Sequence, residues 1–244
     1  MARLRADQLL VERGLAESRT RAQALIMAGL VFSGQRRIDK PGAALVTDTP
    51  LELRGQDHPW VSRGGLKLDH AISHFGLSPA GLVCLDVGAS TGGFTDVLLH
   101  HGAVRVHAVD VGHGQLAWKL RNDPRVVVRE KCNARHLTPD DIGEPIAALV
   151  CDASFIGLRT VLPAPLALCA PGAWAVALIK PQFEVGPKQA PGGVVRDAAV
   201  HEATCEMIRE WWAALPGWHV LGIEASPITG PAGNREFLIA ARRG

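Results

Sequence analysis

The stretch "LDVGASTGGFTD", residues 85–96, decides how this chain reads. It ends one apolar run and opens an amphipathic one, so it is a glycine-rich turn from a strand into a helix. Gly88, Gly92 and Gly93 let backbone come close to a ligand, and the start of the helix offers free N–H groups. The dinucleotide fingerprint would place glycines at 88, 90 and 93. Position 90 is Ser, where a pyrophosphate demands close backbone approach, so a nicotinamide dinucleotide is the weaker candidate. The next apolar run ends in Asp110, about twenty residues on, where a carboxylate can accept both hydroxyls of a ribose. A nucleoside cofactor without pyrophosphate satisfies both observations, and S-adenosylmethionine is the expected one. After the third run, "EKCNARHL" (130–137) puts Asn133 and the backbone of Ala134 where an adenine edge can be read.

Outward from this turn, apolar strands alternate with helices. The strands are "GLVCLDV", "VRVHAVDV", "RVVVRE", "IAALVCD" and "AWAVALIK", followed by the helix "DAAVHEATCEMIREWWAAL" and two last strands, "WHVLGIEA" and "REFLIAARR". Such runs predict a parallel sheet covered on both faces. The connection between the last two is too short for a parallel crossover, so the seventh strand is expected to be antiparallel. The fold class is therefore α/β, a Rossmann-like sheet of the class I methyltransferase type. Residues 1–53 read differently: two short helices closed by Gly14 and Gly29, the second capped by Ser18, then short strands, a small α+β domain. Residues 54–65, "RGQDHPWVSRGG", read as a linker, and 66–244 as the second domain.

Charges collect at one edge of the predicted sheet. Asp152 ends "ALVCD", Lys180 ends "AVALIK" before Pro181, and Glu236 opens the antiparallel last strand, so its start shares the edge where the others end. Lys67 lies on the helix just before the sheet. An ammonium at the end of a buried strand needs a reason, because an isolated buried charge is expensive. Transfer of a methyl group from a sulfonium to a ribose hydroxyl supplies one. The hydroxyl is a poor nucleophile until its proton leaves, and a neutral lysine can take it. Burial beside a second cation favours the neutral amine, which assigns the proton to Lys180 with Lys67 nearby. Asp152 would orient Lys180, and Glu236 would hold Lys67. A buried ion-pair network without chemistry, or four separate surface charges, is the competing account. "FEVGPKQAPGGVVRD" (183–197) follows as a Gly/Pro loop that could cover this edge.

The totals narrow the class. The 244 residues are 47% hydrophobic and 20% charged, enough for a substantial core. Net charge is +2, but the first forty residues carry +4 and the remaining 204 carry −2. A basic end suggests a polyanion partner. Arg19 and Arg21 occupy the first turn of a helix, where cations are disfavoured unless an anion binds there. Arg36 and Arg37 extend that surface, and Arg3 and Arg5 are candidate phosphate contacts. The odd count of five cysteines shows no metal-ligand spacing, and no metal is expected. With no run long enough to span a membrane and no signal-peptide core, a cytoplasmic protein is expected.

The series Lys67, Asp152, Lys180, Glu236 resembles the K–D–K–E tetrad of FtsJ-type RNA ribose 2′-O-methyltransferases. The motifs "WVSRGGLKL", "DVGASTGGFTD", "CDASF", "IKPQFE" and "NREF", in that order, resemble the TlyA family nearly end to end. The resemblance implies an S4-like RNA-binding domain ahead of a class I methyltransferase, and 2′-O-methylation of cytidine in ribosomal RNA. It further implies that Asp86, Gly88, Ser90, Thr91, Gly92, Gly93, Phe94, Asp110 and Asn133 hold S-adenosylmethionine, and that ribosomal subunits are the partner. Because the family also carries a haemolysin label, a membrane-lytic protein is one alternative. A non-catalytic RNA-binding assembly factor is the other.

Overall fold

The structure is a computed structural model that describes residues 3–16, 18–27, 29–54, 58–230 and 233–244. The chain forms two compact units, residues 1–59 and 60–244. Residues 60–65 of the expected linker thus fall in the second unit, where Trp60 is buried in a core cluster. Residues 55–57 of that linker lie outside the described residues.

The first unit contains β1 (Arg3–Arg5), α1 (Ala6–Glu12), α2 (Arg19–Met27), β2 (Val31–Ser33), β3 (Arg36–Arg37), β4 (Ala44–Val46) and β5 (Glu52–Leu53). Ser18 Oγ accepts from Arg21 N at 3.2 Å, the cap expected for α2. Leu10, Leu25, Ile26, Val31 and Ile38 close a small core. β2 pairs antiparallel with β3 and β5, and β1 with β4. Strand β1 was not foreseen: with three residues its alternation is too brief to register in sequence.

Asp7 sits fully buried on α1. Its carboxylate accepts from Arg5 Nε and Nη2 at 3.0 Å, from Gln23 Nε2 at 2.9 Å and from Arg19 Nη2 at 3.4 Å. The hydrogen bond from Arg5 leads in holding this carboxyl well below the usual range; burial opposes it, and Gln23 and Arg19 add to it. Because the folded value is depressed, the stabilisation is complete above the unfolded value of about 3.9 and is lost as pH falls towards the folded one. Asp7→Asn should therefore lower the stability of this unit at neutral pH and flatten its decline below about pH 4. Urea titrations followed by the methyl NMR signals of Leu9 and Leu10 at neutral pH and at pH 3 check both. A wild-type midpoint indifferent to acid would contradict the assignment.

The second unit begins with α3 (Gly64–Phe75), then β6 (Val83–Val87), α4 (Gly93–His100), β7 (Arg105–Val109), α5 (Trp118–Arg121), β8 (Val126–Arg129), α6 (Pro139–Ile142) and β9 (Ile146–Cys151). It continues with α7 (Leu158–Val161), α8 (Pro163–Ala167), β10 (Cys169–Ile179), α9 (Pro181–Glu184), α10 (Ala198–Ala213), β11 (Trp218–Ala225) and β12 (Phe237–Arg243). The seven strands form one sheet in the order β11-β12-β10-β9-β6-β7-β8. Only β12 runs antiparallel to its neighbours, as the short last connection required.

Alternate residues of each strand feed two cores. On β10, Trp174, Val176 and Leu178 join Leu68, Ile72, Val97 and Leu98 of α3 and α4. From the same strand Ala175, Ala177 and Ile179 join Leu158, Leu162, Ile208 and Trp212 on the other face. Burial on both faces explains the uninterrupted apolar runs. Pro181 does more than end β10. It occupies the first position of α9, where its missing N–H is no loss. The loop after α9 is tied down at its far end, with Val195 N donating to Asn234 Oδ1 at 3.2 Å and Asn234 Nδ2 to Gly193 O at 3.0 Å. Among the described residues, no helix is long and apolar enough to cross a membrane.

Candidate active site

The carboxyl edge of the sheet assembles the site through register. Cys151 of β9 pairs with Ala177 of β10 and Val87 of β6, and Ile179 of β10 pairs with Phe237 of β12. Gly88, Asp152 and Lys180 each follow a strand by one residue, and Glu236 precedes β12 by one. Backbone pairing therefore brings Gly88 beside Asp152 and Lys180 beside Glu236, two residues further out along the same edge, and α3 adds Lys67 from one face.

The four charges form two ion pairs joined through Asp152. Lys180 Nζ lies 2.7 Å from Asp152 Oδ1, and Lys67 Nζ lies 2.7 Å from Glu236 Oε2 and 3.6 Å from Asp152 Oδ2. Lys180 Nζ also donates to the Asp152 carbonyl at 3.0 Å and to Ser154 Oγ at 2.7 Å. Lys67, Lys180 and Glu236 are each at most 7% exposed. Buried charges at such separations sustain one another, and removing one leaves its partner uncompensated. Ser154 was not anticipated, although its place two residues after Asp152 could have suggested it.

Two adjoining cavities open here. One, of about 360 Å³, is lined by the four charged residues together with Ser62, Arg63, Thr91, Gly93 and Phe94. The other, of about 640 Å³, is lined by Asp110, Asn133, Ala134, Val111, Phe155 and Ile156 among others. Gly88, Ser90, Asp152 and Ser154 border both. None of the described residues of the loop 185–197 lines either cavity.

The larger cavity has the size and donor set for a nucleoside. Asp110 accepts from Ser90 N at 2.8 Å and Gly112 N at 2.7 Å, which fixes its carboxylate while each oxygen keeps a further lone pair for a hydroxyl. Asn133 Oδ1 takes Arg135 N at 3.2 Å and so caps the short helical turn that follows, leaving the amide N–H groups for a ligand. Val111, Ile156 and Val161 supply apolar wall. Ser90 adopts φ 47°, a left-handed conformation uncommon outside glycine, and its hydroxyl donates to Gln115 Oε1 at 3.1 Å. The residue that broke the dinucleotide fingerprint thus keeps a glycine's backbone shape.

The glycines also make a close packing possible. A Cβ on Gly88 would lie 2.9 Å from the backbone of Ala153, and one on Gly92 would collide with Leu116 and Leu120. On Gly93 it would collide with Ser62 Oγ and crowd Gly65 N at the start of α3. They make room for neighbouring protein, and that packing shapes the cavities. Gly92 lines neither of them. Asp86 also departs from the expectation of ligand contact. It is fully buried, lines neither cavity and accepts from Thr95 Oγ1 at 2.6 Å, binding the strand end to α4. Burial pushes its carboxyl up to about 7.

In the first unit the candidate arginines divide. Arg5 and Arg19 are engaged by Asp7, and Arg37 pairs with Asp39 at 2.5 Å. Arg3 and Arg36 make no ion pair among the described residues. Arg19, in the first turn of α2, has an anionic partner in the buried Asp7 carboxylate while its side chain stays half exposed.

Comparison with known proteins places this arrangement. Residues 60–243 match the FtsJ-like methyltransferase family and residues 4–46 match the S4 domain. The 16S/23S rRNA (cytidine-2′-O)-methyltransferase TlyA of Mycobacterium tuberculosis is 49% identical over 242 residues, which cover 98% of this chain and 90% of that one. Hemolysin A of Brachyspira hyodysenteriae is 38% identical over 239 residues, covering 96% of this chain and 98% of that one. A solved structure from Streptococcus thermophilus that carries the hemolysin name has a TM-score of 0.79 at 44% identity, covering 100% of this chain and 89% of that one. Fold and site therefore define a class I methyltransferase preceded by an S4 domain. The chain belongs to the TlyA family of FtsJ-like methyltransferases.

Gly230 offers a test of the site's packing. A Cβ there would collide with Glu236 Oε1, the oxygen on the far side from Lys67. Gly230→Ala should displace Glu236 and lower the methyl-transfer rate by at least about tenfold, since misplacement of roughly 1 Å costs that much or more. The melting temperature should shift by no more than about 4 °C, the equivalent of roughly 1 kcal/mol. Unchanged transfer by the alanine variant would detach Glu236 from the chemistry.

Proposed function

We propose that this protein methylates the ribose 2′-hydroxyl of cytidine in ribosomal RNA, using S-adenosylmethionine, in the cytoplasm. The observation that carries the reading is the pair of interlocked lysine–carboxylate contacts at the junction of two cavities. In this reading the larger cavity holds the cofactor. Asp110 meets its ribose hydroxyls, Asn133 and the backbone of Ala134 meet its adenine edge, and its methyl-bearing end reaches past Ser90, which borders both cavities, towards Thr91, Gly93 and Phe94 of the smaller one. When bound, the cofactor supplies a methyl group on a sulfonium.

The chain's own residues do the rest. The smaller cavity receives the target ribose beside Lys180. Lys180 Nζ, as the neutral amine, takes the proton of the 2′-hydroxyl, which makes that oxygen a competent nucleophile. Asp152 aims the amine through the 2.7 Å contact and stabilises the ammonium that results. Lys67, held by Glu236, sets a fixed positive charge beside the oxygen as negative charge develops there. Placing the reactants in one pocket contributes the orientation that a displacement needs.

The S4 unit engages RNA through exposed arginines, with Arg3 and Arg36 the best placed, Arg37 alongside and Arg21 half-buried. Such contacts are to phosphate and give affinity without naming a sequence. The base identity and the ribosomal target rest on the family, whose TlyA relative in Mycobacterium tuberculosis is named for cytidine in 16S and 23S rRNA.

Ribosomal subunits from cells lacking the modification, incubated with the protein and methyl-labelled cofactor, test this directly. Label is expected at 2′-oxygens of cytidine. Lys180→Ala should lower it by about 10²–10⁴-fold with cofactor affinity within a few-fold of wild type. Asp110→Ala should instead weaken cofactor binding, measured by calorimetry. Label on a base, or transfer that survives in Lys180→Ala, would reject the mechanism. Absence of label from a cofactor-binding protein on both subunits would reject the substrate.

A further inference from the structure

Helix α3 meets the β11–β12 edge at two places. Near its start Lys67 reaches Glu236, as described. One and two turns later, His70 and His74 reach Glu224 of β11, which pairs with Leu238 of β12. His70 Nε2 is 3.7 Å from Glu224 Oε1, and His74 Nε2 is 3.7 Å from Oε2. The ligand atoms of all three side chains lie within 4.8 Å of one another. Neither 3.7 Å approach is a hydrogen bond. His70 Nε2 is nevertheless shut away from solvent, with no hydrogen-bond partner among the described residues. A buried ring nitrogen without a partner calls for something that meets it.

We propose that His70, His74 and Glu224 form a binding site for a transition-metal dication of the zinc class, and that the metal fastens the helix carrying Lys67 to the sheet edge. Residues four apart present side chains on one helical face, so the two imidazoles converge by spacing alone. Two imidazoles with one carboxylate suit zinc, nickel or copper and disfavour magnesium and calcium, which prefer all-oxygen sets. Bonds of about 2.0–2.1 Å in a tetrahedron separate ligand atoms by roughly 3.4 Å, so the 3.7 Å approaches, each to a different Glu224 oxygen, and the spread of up to 4.8 Å must close by side-chain rotation as the metal enters. The fourth position is left to water. None of the three residues lines either cavity of the active site, so this metal acts on the position of α3, not on the reacting atoms. Lys67 precedes His70 by three residues on the same helix, and Glu224 neighbours the strand that Glu236 opens. The metal clasp and the lysine–glutamate clasp thus hold the same helix to the same pair of strands.

The full-length protein, stripped of metal with a chelator, is titrated with cobalt(II) by visible absorbance and then with zinc(II) in competition. One equivalent of cobalt should bind and be displaced by zinc. His74→Ala, His70→Ala and Glu224→Ala should each weaken binding at least tenfold, while His74→Ala keeps the metal-free rate of methyl transfer. Free zinc at ten times its Kd should raise the melting temperature by about 4 °C and slow amide exchange in residues 64–75, in the wild type but not in His74→Ala. No saturable binding at micromolar metal would overturn the site. So would binding kept in full by the two histidine variants, which would move the metal to the cysteines. Metal bound at His70 and His74 without slower exchange in α3 would overturn the fastening.

Discussion

Two lysines and two carboxylates, all but Asp152 buried, are the constraint around which this molecule is arranged. Taken singly, each would be expensive to bury; together each lysine has a carboxylate within 2.7 Å. Their separations of 2.7 Å leave little tolerance. Four elements must therefore agree in position: the helix α3, and the ends of β9, β10 and β12. The reversed direction of β12 is essential to that agreement. A parallel seventh strand would begin at the opposite edge and leave Lys67 without Glu236. The tethering of α3 to the β11–β12 edge, by Lys67 and by the His70–His74–Glu224 cluster, belongs to the same requirement.

Around this network, space is created by subtraction. Gly88, Gly92 and Gly93 sit where any Cβ would strike Ala153, Leu120 or Ser62, so the turn from β6 packs against the ends of β9 and α3. The cavities are what that packing leaves open. Ser90 is the exception within the turn. It takes a left-handed backbone, and its N–H bonds to Asp110. The hydrogen bond fixes the carboxylate at the tip of β7 and the turn above it at once.

Buried carboxylates outside the network follow the same physics with different outcomes. Asp7 has Arg5, Gln23 and Arg19 around it and is held in its charged form. Asp86 has one hydroxyl and a dry environment, and its carboxyl is pushed up to about 7. Partner number decides the sign in each case. For the first unit this has a functional side. Arg5 and Arg19 serve its own stability through Asp7, with about half of each side chain still exposed.

Much of this was legible before any coordinates. Continuous apolar runs marked the strands because both faces of the sheet are covered, and the short final connection marked the reversal. Charged residues at strand ends were visible because a strand's last residue is set by its pattern, so Lys67, Asp152, Lys180 and Glu236 could be gathered at one edge. What the pattern could not supply was anything set by contact between distant segments. The role of the glycines as room for neighbouring protein and the withdrawal of Asp86 from the cavities both depend on packing. So do the capture of Arg5 and Arg19 by Asp7 and the meeting of His70, His74 and Glu224. Periodicity along a chain reports which side of an element faces the core. Which residue waits on the far side of that core is decided only when the elements pack.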